Sequence, residues 1–124
     1  PSILPEFSVY IAYVVIAVVL SLVLVLSAVP DITRDPKITD GIKALGVPDS
    51  WFLPLGLLKI AGALGLLAGI VYRPLGIAAA IGVVLYFLGA VITHVRGGDA
   101  KRIGLPASIM LVAVAALVLG FATL

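Results

Sequence analysis

The chain has no cysteine and very few residues that could bind a metal ion or a haem. It contains one histidine and one methionine among 124 residues. The absence of cysteine excludes disulfides, thiolate metal sites and thiol redox chemistry. A single histidine leaves too few nitrogen ligands for an all-protein metal site, so we predict no metal centre. A membrane haem usually needs two axial ligands, and with only His94 and Met110 it would require ligation between subunits.

Charged side chains are also scarce. They make up 11% of the chain, whereas 63% of the residues are hydrophobic. A soluble domain has about 45–50% apolar and about 25% charged residues, so this composition lies far outside that class. The net charge of +2 is too small to indicate a nucleic-acid partner. The composition instead predicts a lipid bilayer as the environment of the chain.

Four apolar stretches are long enough to cross a bilayer, which takes about 20 helical residues. The predicted spans are residues 9–29, 51–72, 75–93 and 106–124. Helix-breaking and aromatic residues such as Pro30, Trp51 and Tyr72 mark their ends, as expected at the membrane surface. We therefore predict an all-α integral membrane four-helix bundle with antiparallel spans, which forms one domain over residues 1–124.

The connections between the spans differ in length. The first connection contains Ile42, Lys43 and Leu45 followed by Gly46, a pattern that predicts a short amphipathic surface helix over residues 40–45 with Gly46 as its C-cap. The link from the second span to the third is only Arg73-Pro74, so these two helices should form a tight antiparallel hairpin.

Lysine and arginine are distributed unequally between the two sides of the predicted bundle. Six of them lie in residues 30–50 and 94–105, and only Arg73 lies on the opposite side. Because positively charged loops stay in the cytoplasm, we expect these two loops to be cytoplasmic and both termini to lie outside.

Small residues predict where the helices approach each other. Ala61, Gly65 and Gly69 recur every four residues on the second span, and Gly82 and Gly89 flank Tyr86 on the third. Small residues at this spacing allow close packing of membrane helices, either within a chain or between chains. The glycines around Tyr86 also suggest a notch that faces the interior of the bundle.

Lys59 is the most informative single residue, because it lies inside an apolar span. A charge at that depth costs roughly 3 kcal/mol on insertion scales and needs a partner, a cavity or a route to the interface. Tyr86 and Ser21 should lie at a similar depth, roughly 12 Å from the same surface, with His94 nearer to it. These four residues are the candidate ligand-binding residues. The alternative is that Lys59 extends to the head groups or forms a purely structural pair.

The sequence contains no recognisable set of catalytic residues. One histidine near the membrane surface, with no serine at a strained turn and no orienting carboxylate in a motif, does not support hydrolysis. We therefore favour a protein that is not an enzyme.

Several segments in and around the second and third spans resemble the DoxX-like family. They are residues 55–59, 62–67, 73–76, 86–90 and 94–99. The resemblance extends over about residues 9–124. It implies a small four-helix protein, mostly bacterial, and so a multi-pass protein of the bacterial inner membrane. It also implies an association with quinone-linked oxidoreductases, with redox-defence enzymes or with receptor assembly.

Three functions follow as hypotheses from this resemblance and these residues. The first is an accessory membrane subunit that assembles with itself or with a membrane redox complex. The second is a membrane subunit of an oxidoreductase that binds a quinone, with Lys59, Tyr86 and His94 around the head group. The third is an oligomeric carrier of small molecules. No cofactor follows from the residues alone, and a quinone is the candidate that the resemblance adds.

Overall fold

The computed structural model describes residues 3–124, with side chains described from Glu6 onward. Within that range it is 86% helix and has no strands. The helices are α1 (Ile3–Thr33), α2 (Pro36–Lys43), α3 (Phe52–Ala68), α4 (Arg73–Arg96) and α5 (Gly104–Ala122). All except α2 are long and apolar enough to span a membrane. The structure confirms the predicted all-α bundle of four spans with a short helix between the first two.

The four long helices form a closed ring. The helix α1 packs against α3 and α5, and α4 packs against the same two helices. Successive spans cross the bundle in opposite directions, so every neighbouring pair in the ring is antiparallel. The bundle therefore has two ends. We call them the α2 end, which carries α2 and the 97–103 loop, and the hairpin end, which carries the α3–α4 turn.

The interior of the bundle is apolar and the exterior is apolar too. Leu20, Leu24, Leu66, Val83 and Phe87 belong to the buried core. Large aliphatic side chains such as Leu22, Leu64, Leu85 and Leu111 remain exposed on the four long helices. A protein in water would not expose this much apolar surface, whereas lipid tolerates it, so the composition and the structure agree on an integral membrane protein.

The first helix continues beyond its predicted end. Pro30 was expected to end the span near residue 29, yet it lies inside α1, which runs on to Thr33. The helix ends instead at Arg34, whose φ of 55° is left-handed, and the Asp35 N–H donates to the Pro30 carbonyl at 3.0 Å. This is the bond that closes a Schellman motif, so Pro30 lies in the last turn. The extension brings Asp31 into the bundle.

The surface helix begins earlier than predicted. It covers Pro36–Lys43 rather than residues 40–45, because the Asp35 carboxylate accepts the Lys37 N–H at 3.1 Å and Pro36 occupies the first turn. An N-cap side chain followed by proline is a strong helix start. Gly46 lies beyond the helix with a φ of +97°, where it reverses the chain toward α3.

Small residues bring α3 and α4 into close contact beside their turn. A Cβ atom added to Gly69 would overlap the backbone of Gly76, and one added to Gly65 would lie 2.7 Å from the Ala79 Cβ. The helices therefore approach each other closely at this end of the bundle because these positions have no side chain.

Candidate functional site

Lys59 lies on the face of α3 that meets α1. Its ammonium donates to the Ser27 hydroxyl at 2.7 Å, to the Asp31 carboxylate at 2.8 Å and to the Ser27 carbonyl at 3.3 Å. These three acceptors match the three N–H groups of an ammonium. The charge of Lys59 is therefore paired between α3 and α1 and is almost fully buried.

The partners of Lys59 come from the last two turns of α1. Ser27 and Asp31 are four residues apart, so they lie one above the other on the same side of the helix. Only 4% of the Asp31 side chain and 10% of the Lys59 side chain remain exposed. A buried carboxylate and a buried ammonium are each costly alone, so each of the two residues requires the other.

Tyr86 lies on the other side of Lys59. The Lys59 ammonium is 5.7 Å from the centre of the Tyr86 ring, which is within the range of a cation–π contact. The ring also packs at 5.0 Å against the ring of Phe87. None of the hydrogen bonds among the side chains of residues 6–124 involves the Tyr86 hydroxyl, so its O–H remains available as a donor.

A cavity of about 700 Å³ opens beside the ion pair at the α2 end of the bundle. Lys59, Asp31, Ser27 and Tyr86 line it together with His94. Most of its remaining wall is apolar, and α2 with the loop that follows it contributes part of that wall. Among these apolar residues are Ile38, Ile42, Leu45, Trp51, Phe52 and Ile109. We call this space the head cavity.

His94 belongs to the head cavity but not to the ion pair. Its Nδ1 atom is 3.3 Å from the Asp99 carboxylate, and Arg102 approaches the same carboxylate at 3.8 Å. This arrangement fixes the imidazole at the end of α4, where the helix leads into the 97–103 loop. Within residues 3–124, no group of three acidic or histidine side chains is arranged to hold a metal ion.

A second cavity of about 600 Å³ lies between α3 and α4. Small residues of both helices line it, among them Ala61, Gly62, Gly65, Ala78, Ala79 and Gly82. Lys59, Leu85, Tyr86 and Phe87 line both this space and the head cavity. We call it the α3–α4 cleft.

The four candidate ligand-binding residues do not all meet. Lys59, Tyr86 and His94 line the head cavity, whereas Ser21 does not. Instead, the buried Ser21 hydroxyl donates to the Ala63 carbonyl at 3.1 Å and so links α1 to α3. Ser21 lies deeper in the bundle than the ion pair, and Ser27 provides the hydroxyl that Lys59 contacts.

The small residues that were expected to pack have different surroundings. Gly65 and Gly69 face α4 closely, while Ala61 is exposed and lines the α3–α4 cleft. Nothing within residues 3–124 lies within 4 Å of a Cβ added to Gly82 or Gly89. Gly82 lines the cleft and Gly89 lines the head cavity, one on each side of Tyr86.

Asp31 and Ser27 were missed by the sequence analysis. Asp31 follows Pro30 directly, and proline usually marks a helix end, so the carboxylate was assigned to the loop. One signal in the sequence could have indicated Asp31. An acidic residue just beyond one span and a lysine inside the next span need each other, provided that the helix continues past the proline.

The hairpin end carries a second cation. The Arg73 guanidinium lies 4.2 Å from the centre of the Tyr13 ring and 5.7 Å from that of Tyr10, and it donates to the Gly69 carbonyl. Tyr13 is almost fully buried between α1 and the hairpin. This cluster fixes the α3–α4 turn to the start of α1.

The family model of the DoxX-like family matches residues 15–118, which is most of the chain. The chain belongs to the DoxX-like family. A search among curated proteins and a search among solved structures found no match. Membership of the DoxX-like family agrees with the four membrane-spanning helices, and the matched residues include both Asp31 and Lys59.

Proposed function

We propose that this DoxX-like protein is a membrane subunit without catalytic activity of its own, whose head cavity binds the polar head group of a quinone. The observation that carries the proposal is the buried Lys59–Asp31 pair beside Tyr86, which lies on an apolar cavity of about 700 Å³. A membrane site with polar groups in an apolar wall suits a molecule with a polar head and an apolar body.

The charges of the site favour an uncharged head group. Asp31 and Lys59 compensate each other, so the pair presents no net charge to the cavity. An ion would have to lose its hydration shell without finding a counter-charge, whereas a quinone carbonyl needs only hydrogen-bond donors. The Tyr86 hydroxyl is such a donor, and the imidazole of His94 is a second polar group in the same cavity.

The same balance of charges makes the third hypothesis, an oligomeric carrier of small molecules, weaker for charged substrates. The ammonium of Lys59 has all three of its donors in use, so it is not free to move with a transported ion. A binding subunit needs only a fixed site, which this pair provides.

The proposed setting is a bacterial inner membrane, with the α2 end in the cytoplasm. The six-to-one distribution of Lys and Arg supports this orientation. As a subunit, the chain would assemble with itself or with a membrane redox complex. Membership of the DoxX-like family supports the second possibility, because the family is associated with quinone-linked oxidoreductases.

The single tryptophan of the chain offers a direct test of quinone binding. Trp51 lines the head cavity, so a bound quinone should quench its fluorescence in a saturable way. Tyr86→Phe removes only the hydroxyl and should weaken quinone binding about fivefold, which corresponds to one hydrogen bond of about 1 kcal/mol. The measurement is a fluorescence titration of the purified protein in lipid nanodiscs.

Tyr10→Phe provides the matched control, because Tyr10 lies at the hairpin end beside Arg73. It should leave the titration unchanged. If quenching in the wild-type protein does not saturate, the quinone only partitions into lipid and the proposal is wrong. The Lys59–Asp31 pair would then be a structural link between α1 and α3.

A further inference from the structure

The head cavity and the α3–α4 cleft meet at the layer of Lys59 and Tyr86. Four residues line both spaces, and two of them, Leu85 and Phe87, are the neighbours of Tyr86 on α4. Tyr86 therefore separates the polar cavity at the α2 end from an apolar cleft that continues toward the hairpin end.

The α4 helix leaves open space on both sides of the Tyr86 ring. Gly82 and Gly89 precede and follow Tyr86 by about one helical turn, so the three residues lie on one side of α4. Both glycines are exposed, and within the described residues no side chain and no backbone of another helix lies within 4 Å of a Cβ added to either one. A chain of methylene groups could pass the ring at these positions without displacing a side chain.

The cleft has the shape and the chemistry of a binding site for such a chain. It runs along α4 from Tyr86 to Leu75, which is about 16 Å at 1.5 Å per residue. Its walls are almost entirely apolar, and it opens along the outer surface of the bundle, where Ala61, Gly82 and Leu85 are exposed. The head cavity holds the polar groups and the cleft holds none beyond Lys59 and Tyr86.

We infer that the α3–α4 cleft binds the apolar tail of the molecule whose head occupies the head cavity. This inference rests on the proposed function and adds a substrate class to it: quinones with a long aliphatic tail, which passes Tyr86 over Gly82 and Gly89. The cleft would then distinguish tailed quinones from tailless ones by contact with the tail, not only by their partitioning into lipid.

Two substitutions can fill the cleft without disturbing the fold. Ala61 is exposed and Gly82 has free space around it, so Ala61→Leu and Gly82→Leu add bulk inside the cleft rather than in the core. Ala122→Leu is the matched control, because Ala122 is exposed on α5 and lines neither space.

The experiment titrates each protein with two quinones and follows the fluorescence of Trp51. One quinone carries a decyl tail, and the other has the same ring without a tail. Ala61→Leu and Gly82→Leu should each weaken binding of the decyl quinone about tenfold, because the tail meets the added side chain. Binding of the tailless quinone should stay unchanged in both variants, and Ala122→Leu should bind both quinones as the wild-type protein does.

The outcomes separate the inference from the proposed function. If the wild-type protein binds both quinones and the two variants bind the decyl quinone normally, the tail leaves by another route and only the inference is wrong. Equal weakening of both quinones would show that the cleft affects the head site, which also contradicts the inference. If the wild-type protein binds neither quinone, the proposed function fails and the inference fails with it.

Discussion

At the scale of single residues, the buried ion pair decides how α1 and α3 fit together. The Lys59 ammonium reaches the Asp31 carboxylate at 2.8 Å and the Ser27 hydroxyl at 2.7 Å, and both charged side chains are almost fully buried. Coulomb attraction in such a place is strong, but so is the cost of removing each charge from water. The pair is therefore a requirement of the fold more than a source of stability.

A double-mutant cycle tests this interpretation. Lys59→Met or Asp31→Asn alone should each destabilise the protein by about 3–5 kcal/mol, because each leaves one buried charge without a partner. The double variant should recover most of the loss, since it leaves no buried charge. The measurement is the free energy of unfolding in detergent, from denaturant titrations.

Ser21→Ala serves as the control for this cycle. It removes one buried hydrogen bond between the same two helices, so it should cost only about 1 kcal/mol. If the double variant loses as much free energy of unfolding as the two single variants together, Lys59 and Asp31 do not depend on each other and the pairing is contradicted.

The sequence was enough to find Lys59 but not its partner. A lysine within an apolar span stands out on composition alone, and Tyr86 follows from its equal depth and its flanking glycines. Asp31 depended on whether α1 tolerates Pro30, which local propensity does not decide. Two features fix the end of α1: the two buried charges need each other, and the chain turns left-handed at Arg34. The first depends on packing and the second on backbone geometry, so neither follows from the residues around Pro30 alone.

At the scale of helices, the α3–α4 hairpin is closed at one end and open at the other. Gly69 and Gly76 bring the backbones together beside the turn, whereas Gly82, nearer to Tyr86, has no neighbour within 4 Å of an added Cβ. Hydropathy predicted these helices well, since apolar length is what a bilayer requires. It did not predict which small residues lie at a contact and which line a space, because that depends on how the helices cross.

Two alanine substitutions should separate these kinds of glycine. Gly69→Ala should destabilise the protein by roughly 1–3 kcal/mol, because its Cβ would overlap the backbone of Gly76. Gly82→Ala should keep or raise the stability, by up to about 1 kcal/mol, because the Cβ meets free space and alanine favours a helix. Thermal unfolding in detergent measures both, and equal destabilisation would show that the cleft is not open.

At the scale of the whole molecule, the chain is a ring of four antiparallel helices with its polar site at one end. The cationic loops lie at that same α2 end, as do α2 and the head cavity. The orientation in the membrane therefore decides from which side of the bilayer the head cavity is reached.

The absence of cysteine makes the orientation simple to measure. Single cysteines at Val71, in the hairpin turn, and at Ala100, in the loop at the α2 end, each give a unique label site on an exposed position. Val71→Cys should react with a membrane-impermeant maleimide in intact cells, and Ala100→Cys only after permeabilisation, because the cationic loops stay inside. The reverse pattern would show that the α2 end faces outward.

The central claim is that the head cavity binds a quinone beside the Lys59–Asp31 pair, and photolabelling with an azido-quinone tests it most directly. The account predicts one saturable label on residues that line the head cavity, such as Tyr86 or Trp51, which an excess of unmodified quinone prevents. The Tyr86→Phe variant should show a weaker label while it still folds, because it lacks the hydroxyl that donates to the quinone carbonyl. A label spread over the lipid-facing surface of α5, with no competition by unmodified quinone, would contradict the account.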